Sequence, residues 1–164
     1  MKRIILVRHA KSVGYGYEDD FNRNLTERGE TDVEKISSEL NMLNIKPDVM
    51  VSSPAIRAIT TAHIFAENLN FNKNDICEVA DIYYGLTTSE FVELIQELPD
   101  TAGTAYIFGH NPGFHSYANN LLKYFDGEMP TCSIVGIDFP VDSWKKVSAR
   151  TGNKAFHLVP RMFR

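Results

Sequence analysis

The chain combines short apolar runs with longer segments whose apolar residues recur at helical spacing. Residues 4–7 are four branched apolar residues in a row, which predicts a strand covered on both faces. Similar runs predict further strands at 48–52, 77–81 and 105–108. Between them, residues such as Val33, Ile36 and Leu40 repeat every three or four positions and predict amphipathic helices. Strands and helices therefore alternate, as in a parallel sheet covered by helices.

Polar residues and prolines mark where the helices begin. A hydroxyl or amide side chain often accepts a hydrogen bond at a helix N-terminus, and proline is favoured at the first helical position. Such start signals occur at Thr26, Ser53-Pro54, Thr87 with Glu90, and Asn111-Pro112. The last forty residues differ, because runs at 133–139, 144–148 and 155–159 with short connections predict antiparallel strands. We therefore expect an α/β fold with a mostly parallel, mixed sheet.

Composition limits the classes of function. The chain has 164 residues, of which 43% are hydrophobic and 23% charged, which predicts one soluble domain spanning residues 1–164. A net charge of −4 argues against a nucleic-acid partner, and no apolar run approaches the roughly 20 residues of a membrane span. With no signal-peptide pattern and no disulfide framework, we expect a cytoplasmic protein without nucleic-acid or membrane partners.

Charged side chains follow the predicted parallel strands. Arg8 and His9 end the first strand, Arg57 lies in the first turn of the helix after the second, and His110 ends the strand at 105–108. Parallel strands present their carboxyl ends at one edge, where ligands bind in α/β proteins. Helix N-termini at that edge favour anions, and the arginine fork matches phosphate oxygens. The pattern predicts a phosphate site.

A histidine in such a site can act as a nucleophile. Neutral imidazole can attack phosphorus and form a phosphohistidine intermediate, while arginines offset the charge of the transition state. Because these cations are built into the chain, we expect neither a metal nor another cofactor. The sequence also has no phosphate-loop motif and no H-E-x-x-H zinc motif.

Four motifs in this order resemble those of the histidine phosphatase (phosphoglycerate-mutase-like) superfamily. They are Arg8-His9-Ala10, Leu25-Thr26-Glu27-Arg28-Gly29, Ser52-Ser53-Pro54 with Arg57-Ala58-Ile59-Thr60-Thr61-Ala62, and Gly109-His110-Asn111. The resemblance implies a three-layer α/β/α sandwich. It also implies that His9 is the phosphorylated nucleophile and that Arg8, Arg57 and His110 complete the phosphate pocket.

The short chain and the segment 23–26 look like the SixA branch, the phosphohistidine phosphatases. That likeness implies that Arg23 is a further phosphate ligand; the alternative is that Arg23 pairs with Glu18, Asp19 or Asp20 in its own loop. The branch usually has proline where this chain has Asn24, a difference that should alter loop stiffness more than chemistry.

The sequence offers no strong general acid. Asp81 and Glu78 are the nearest candidates. An alkoxide leaving group needs a proton early in the displacement, whereas imidazole leaves more easily. A weak general acid should therefore slow the reaction less with phosphohistidine than with an ester.

We therefore expect a phosphatase acting on a phosphohistidine-bearing protein. The alternatives are a phosphatase or mutase for small phosphate esters and a non-catalytic phosphoprotein-binding module. Tyr15, Tyr17, Tyr83 and Tyr84 are candidates for the pocket entrance, although we expect at least some of them to pack in the core instead.

Overall fold

The computed structural model describes residues 1–14, 16 and 19–164. Eleven regular elements are defined within these residues, with short 3-10 turns at Asp20–Asn22, Lys73–Asp75, Trp144–Lys146 and Pro160–Phe163. The elements are β1 (Lys2–Arg8), α1 (Glu27–Met42), β2 (Val49–Ser52), α2 (Ile56–Asn68), β3 (Cys77–Glu78), α3 (Ala80–Tyr84), α4 (Thr88–Gln96), β4 (Thr104–Gly109), α5 (Gly113–Leu121), β5 (Ile134–Phe139) and β6 (Asn153–Leu158).

The strands form one mixed sheet in the order β3-β2-β4-β1-β5-β6. The pairs β3/β2, β2/β4 and β4/β1 are parallel, whereas β1/β5 and β5/β6 are antiparallel. The predicted mostly parallel sheet with antiparallel strands near its C-terminal end is confirmed. Strand β1 lies inside the sheet, between β4 and β5, which explains why its apolar run shows no alternation with polar residues.

Helices cover both faces of the sheet and create two apolar clusters. Ile4 and Leu6 of β1 belong to the cluster under α4 and α5, and Ile5 and Val7 belong to the cluster under α1 and α2. All four side chains are fully buried. Successive residues of a strand point to opposite faces, so one short run supports both layers. The expected three-layer α/β/α sandwich is confirmed.

Two of the predicted strands are wrong in part or entirely. Residues 144–148 contain a 3-10 turn, because the buried indole of Trp144 donates a hydrogen bond to the carbonyls of Pro99 and Ala102 rather than packing on a sheet. At 77–81 only Cys77–Glu78 is a strand. The following Ala80–Tyr84 segment is the helix α3, so Asp81 is helical.

Two of the four predicted helix starts are exact, and two lie further along the chain than predicted. The Thr26 cap and the reciprocal Thr87–Glu90 capping box are confirmed. In contrast, α2 has Ala55 at its N-cap and α5 has Pro112, and neither residue provides a side-chain cap. The hydroxyl of Ser53, predicted to cap α2, instead lies against His110.

The loop after β1 packs closely on α1. The backbone amide of Thr26 donates to the carbonyl of Lys11 at 2.9 Å. A Cβ atom at Gly29 would overlap that same carbonyl, so glycine is required for this approach.

None of the helices in the described residues has the length and apolar character that a membrane span requires.

Candidate active site

The carboxyl ends of three neighbouring strands form the candidate site. The sheet pairing extends past the strands, since the amide of His9 donates to the carbonyl of Gly109 at 2.9 Å and that of Ser53 to Phe108 at 3.0 Å. This register places the ends of β1, β4 and β2 side by side. A cavity of about 400 Å³ opens there, and its lining includes Arg8, His9, Asp20, Arg23, Arg57 and His110.

His9 is held with one ring nitrogen committed to the backbone. Its side chain is only 7% exposed, and Nδ1 lies 2.8 Å from the carbonyl oxygen of Ala10. A carbonyl can only accept, so Nδ1 carries the proton and Nε2 keeps its lone pair. Burial, together with the nearby His110, Arg57 and Arg8, lowers the pKa of His9 to about 3. His9 is therefore neutral near pH 7, as a nucleophile must be.

The segment that follows His9 is fixed by α2. The amide of Ala10 donates to Oγ1 of Thr61 at 3.1 Å, and the Thr61 hydroxyl donates to the carbonyl of Arg57 at 2.7 Å. Thr61 is completely buried. The same helix that carries Arg57 thus holds the backbone beside His9, which couples the positions of the two side chains.

His110 faces His9 across the pocket. The two ring centroids are 5.3 Å apart, and Nε2 of His110 lies 2.7 Å from Oγ of Ser53. Burial and the charge of Arg57 lower the pKa of His110 to about 4. The role of Ser53, the residue that follows β2, was not predicted, because a Ser-Pro pair alone indicates only a helix start.

Asp20 joins two of the predicted phosphate ligands. Its Oδ1 accepts from Nε and Nη2 of Arg23 at 3.1 and 2.9 Å, and its Oδ2 accepts from Nη2 of Arg57 at 3.1 Å. The hydroxyl of Tyr83 also donates to Oδ2 at 2.8 Å. Partial burial opposes ionisation, but the Tyr83 hydrogen bond and the two arginines outweigh it and lower the pKa of Asp20 to about 2.

The sequence predicted Asp20 only as one of three acidic residues that could pair with Arg23 in place of a phosphate. Arg23 does pair with Asp20, and it also lines the pocket. The spacing of three residues between them was the available signal. What the sequence did not reveal is that the same carboxylate also reaches Arg57, 37 residues further along the chain.

Several buried polar atoms of the pocket lack hydrogen-bond partners. Arg8 donates from Nη1 to the carbonyl of Met129 at 3.0 Å, but its Nε has no partner in the part of the chain that the structure describes. The Nε atom of Arg57 and Nδ1 of His110 are also buried without partners among the described residues. Buried polar groups are normally satisfied. Arg8, Arg57 and His110 are exceptions, and all three residues line the cavity.

The two predicted general acids lie elsewhere. Asp81 on α3 and Glu78 at the end of β3 are exposed, and neither lines the cavity. Tyr83 and Tyr84 lie beside His110, in an adjoining cleft. Tyr15, Tyr17 and Glu18 are outside the described residues.

Within the described ranges, no group of three or more His, Cys, Asp or Glu side chains is arranged to hold a metal ion.

The chain resembles known proteins in both sequence and structure. The model of the histidine phosphatase superfamily (branch 1) matches residues 4–119. The mitochondrial serine/threonine-protein phosphatase Pgam5 of Drosophila melanogaster is 36% identical over 166 residues, covering 90% of this chain and 55% of the relative. The chain thus spans about half the length of that curated relative.

Two solved structures share the fold. The protein histidine phosphatase SixA complexed with tungstate superposes with a TM-score of 0.86 at 15% identity, covering 99% of each chain. A mycobacterial glucosyl-3-phosphoglycerate phosphatase superposes with a TM-score of 0.68 at 14% identity, covering 94% of this chain and 97% of the other.

Proposed function

Because this chain belongs to the histidine phosphatase superfamily, we propose that it removes phosphate from a phosphohistidine side chain of another protein, with His9 as the covalent nucleophile. The observation that carries the proposal is the state of His9. No described residue hydrogen-bonds to its Nε2, its ring is neutral, and Arg8, Arg23, Arg57 and His110 line the same cavity.

In the proposed first step, Nε2 of His9 attacks phosphorus. A bond forms between Nε2 and phosphorus, and the bond between phosphorus and the substrate nitrogen breaks. The electron pair of that bond stays on the substrate nitrogen. A substrate ring that already carries a proton on its other nitrogen then leaves as neutral imidazole. Arg8 and Arg57 offset the charge of the phosphoryl oxygens, and their positions are set before substrate arrives.

In the proposed second step, water attacks the phosphorus of phospho-His9. The phosphorus–Nε2 bond breaks, its electron pair returns to His9, and inorganic phosphate leaves. The hydrogen bond from Nδ1 to the carbonyl of Ala10 keeps the ring in one orientation through both steps. No proton has to be removed from His9 before attack, since its lowered pKa keeps it neutral.

The acid–base character of the pocket favours a phosphohistidine substrate over an ester. Asp20 is the carboxylate among the described residues that line the cavity, and its lowered pKa keeps it ionised near pH 7. In that state it cannot donate a proton. An alkoxide leaving group depends on early proton donation, whereas imidazole depends on it much less.

A phosphoserine or phosphothreonine side chain is the second candidate substrate. The curated Drosophila relative is named a serine/threonine-protein phosphatase, which favours a phosphoprotein ester. A small phosphate ester is the third candidate substrate, because the glucosyl-3-phosphoglycerate phosphatase shares the fold. A pure binding module is disfavoured, because binding alone does not require a neutral, oriented His9.

The proposal is tested by trapping the intermediate and comparing substrates. Wild-type protein mixed with labelled phosphohistidine protein should acquire acid-labile label on His9. His9→Ala should acquire none and lose turnover by more than about a thousandfold. His63→Ala, at an exposed histidine outside the cavity, is the matched control and should behave as wild type.

Two results would count against the proposal in different ways. Retention of normal activity by His9→Ala would refute the mechanism. Turnover of a phosphoserine peptide or 3-phosphoglycerate that equals that of the phosphohistidine protein would refute the substrate assignment and leave the mechanism standing.

A further inference from the structure

A second cleft adjoins the phosphate pocket. It has a volume of about 290 Å³ and lies between the 82–86 segment and the start of α5. His110 and Asn111 line both the cleft and the cavity around His9. A group attached to a phosphoryl held beside His110 can therefore extend into this cleft without leaving the protein surface.

The walls of the cleft are aromatic and apolar. Among the described residues that line it there is no lysine, arginine, aspartate or glutamate. Tyr83 packs edge-on against His110, with ring centroids 5.7 Å apart, and Tyr84 packs on Tyr83 at 5.2 Å. Tyr84 is 79% exposed at the rim. A large aromatic side chain left this exposed beside a polar pocket is available for a ligand.

Hydrogen bonds hold the cleft in shape. The Tyr117 hydroxyl donates to the carbonyl of Leu86 at 2.6 Å and accepts from its amide at 3.2 Å, and the Tyr117 ring stacks on Phe91 with centroids 4.0 Å apart. Tyr83 is tied to the phosphate pocket through its hydrogen bond to Asp20. The aromatic wall is thus built together with the site, which reduces the entropy lost when a ligand binds.

On the basis of the proposed function, we infer that this cleft is a leaving-group subsite that receives the imidazole ring of the phosphohistidine substrate, with Tyr84 as its outer wall. Imidazole is flat, and when protonated it is a cation, so it stacks favourably on a tyrosine face. A phosphoglycerate leaving group would bring a carboxylate into a cleft whose described lining offers no arginine or lysine. The subsite therefore selects for a ring and against an acid.

The test compares two substrates that share the phosphorus–nitrogen bond and differ in the ring. One is a phosphohistidine peptide, and the other is phosphoramidate, which has no imidazole. The measured quantity is the ratio of kcat/KM for the peptide to kcat/KM for phosphoramidate. Tyr84→Ala should lower this ratio about fivefold, the effect of losing one stacking partner.

Two variants control for other effects. Tyr84→Phe keeps the ring and should keep the ratio of wild type within about twofold. Tyr124→Ala removes a tyrosine that is 73% exposed but lines neither cavity, and it should not change the ratio. All three substitutions are at exposed positions, so loss of folding should not obscure the result.

The outcomes separate this inference from the function on which it rests. If Tyr84→Ala leaves the ratio unchanged, even when both substrates react more slowly, the subsite is overturned and the phosphohistidine activity still stands. A wild-type protein with no activity on the peptide would overturn the proposed function and the subsite with it.

Discussion

Asp20 connects the charges of the pocket, and replacing it with asparagine would test how that network is balanced. The carboxylate accepts four hydrogen bonds, two from Arg23, one from Arg57 and one from Tyr83. An asparagine has only one oxygen, so its amide would place N–H groups against some of these donors. Arg57, whose side chain is 6% exposed, would also lose its ionic partner.

The expected magnitude follows from these contacts. Hydrogen bonds to charged groups contribute about 1.5–3 kcal/mol each when desolvated. The Asp20 side chain is 33% exposed, so screening reduces the total loss to roughly 1–2 kcal/mol. For a chain of this length, that loss lowers Tm by about 2–8 °C.

Oxyanion binding should change in the opposite direction. A phosphate bound by the arginines would lie near the Asp20 carboxylate, and repulsion between two unit charges about 6 Å apart costs roughly 1–3 kcal/mol at effective dielectric constants of about 80–20. Removing the Asp20 charge should therefore tighten phosphate binding by about fivefold or more. Tm of Asp20→Asn should accordingly rise more with added phosphate than Tm of wild type.

The assay is thermal unfolding of both proteins over a phosphate series, with phosphate affinity measured by calorimetry. Asp19→Asn is the matched control, because Asp19 caps the same short turn through Asn22 and accepts no hydrogen bond from an arginine of the described residues. A Tm deficit of Asp20→Asn that is independent of phosphate, or weaker phosphate binding, would refute the charge-balance argument.

Further predictions concern the buried histidines and the packing of α1. His9 and His110 should not titrate by NMR above about pH 5, because their pKa values are lowered to about 3 and about 4; a midpoint near 6.5 would contradict this. The free energy of unfolding should fall as pH drops below about 6.5, because the unfolded chain then binds protons that the folded site excludes. In urea titrations, this free energy should depend less on pH in His9→Ala than in wild type. Gly29→Ala should cost roughly 1–3 kcal/mol of stability because of overlap with the Lys11 carbonyl. Gly14→Ala, with no atom within 4 Å, should change little, and equal losses would refute the packing argument.

Much of the fold was predictable because local patterns and sheet topology agree. The uninterrupted apolar run before Arg8 indicated a strand covered on both faces, and both faces of β1 are buried. The strand predicted at 144–148 is wrong because Trp144 does not pack on a sheet. Its buried indole instead donates hydrogen bonds to a distant loop. A short apolar run does not distinguish these two uses.

The residue types of the site were set by the sequence alone. Arg8 ends a strand, His9 and His110 each directly follow one, and Arg57 lies in the first turn of a helix. Parallel topology was therefore enough to bring them to one edge. Tertiary structure decided the contacts between them: the hydrogen bond of Ser53 to His110, and the carboxylate of Asp20 between two arginines. The physical reason is that strand order is encoded in periodic patterns along the chain, whereas a loop side chain acquires its partners only when distant segments are brought within hydrogen-bonding distance.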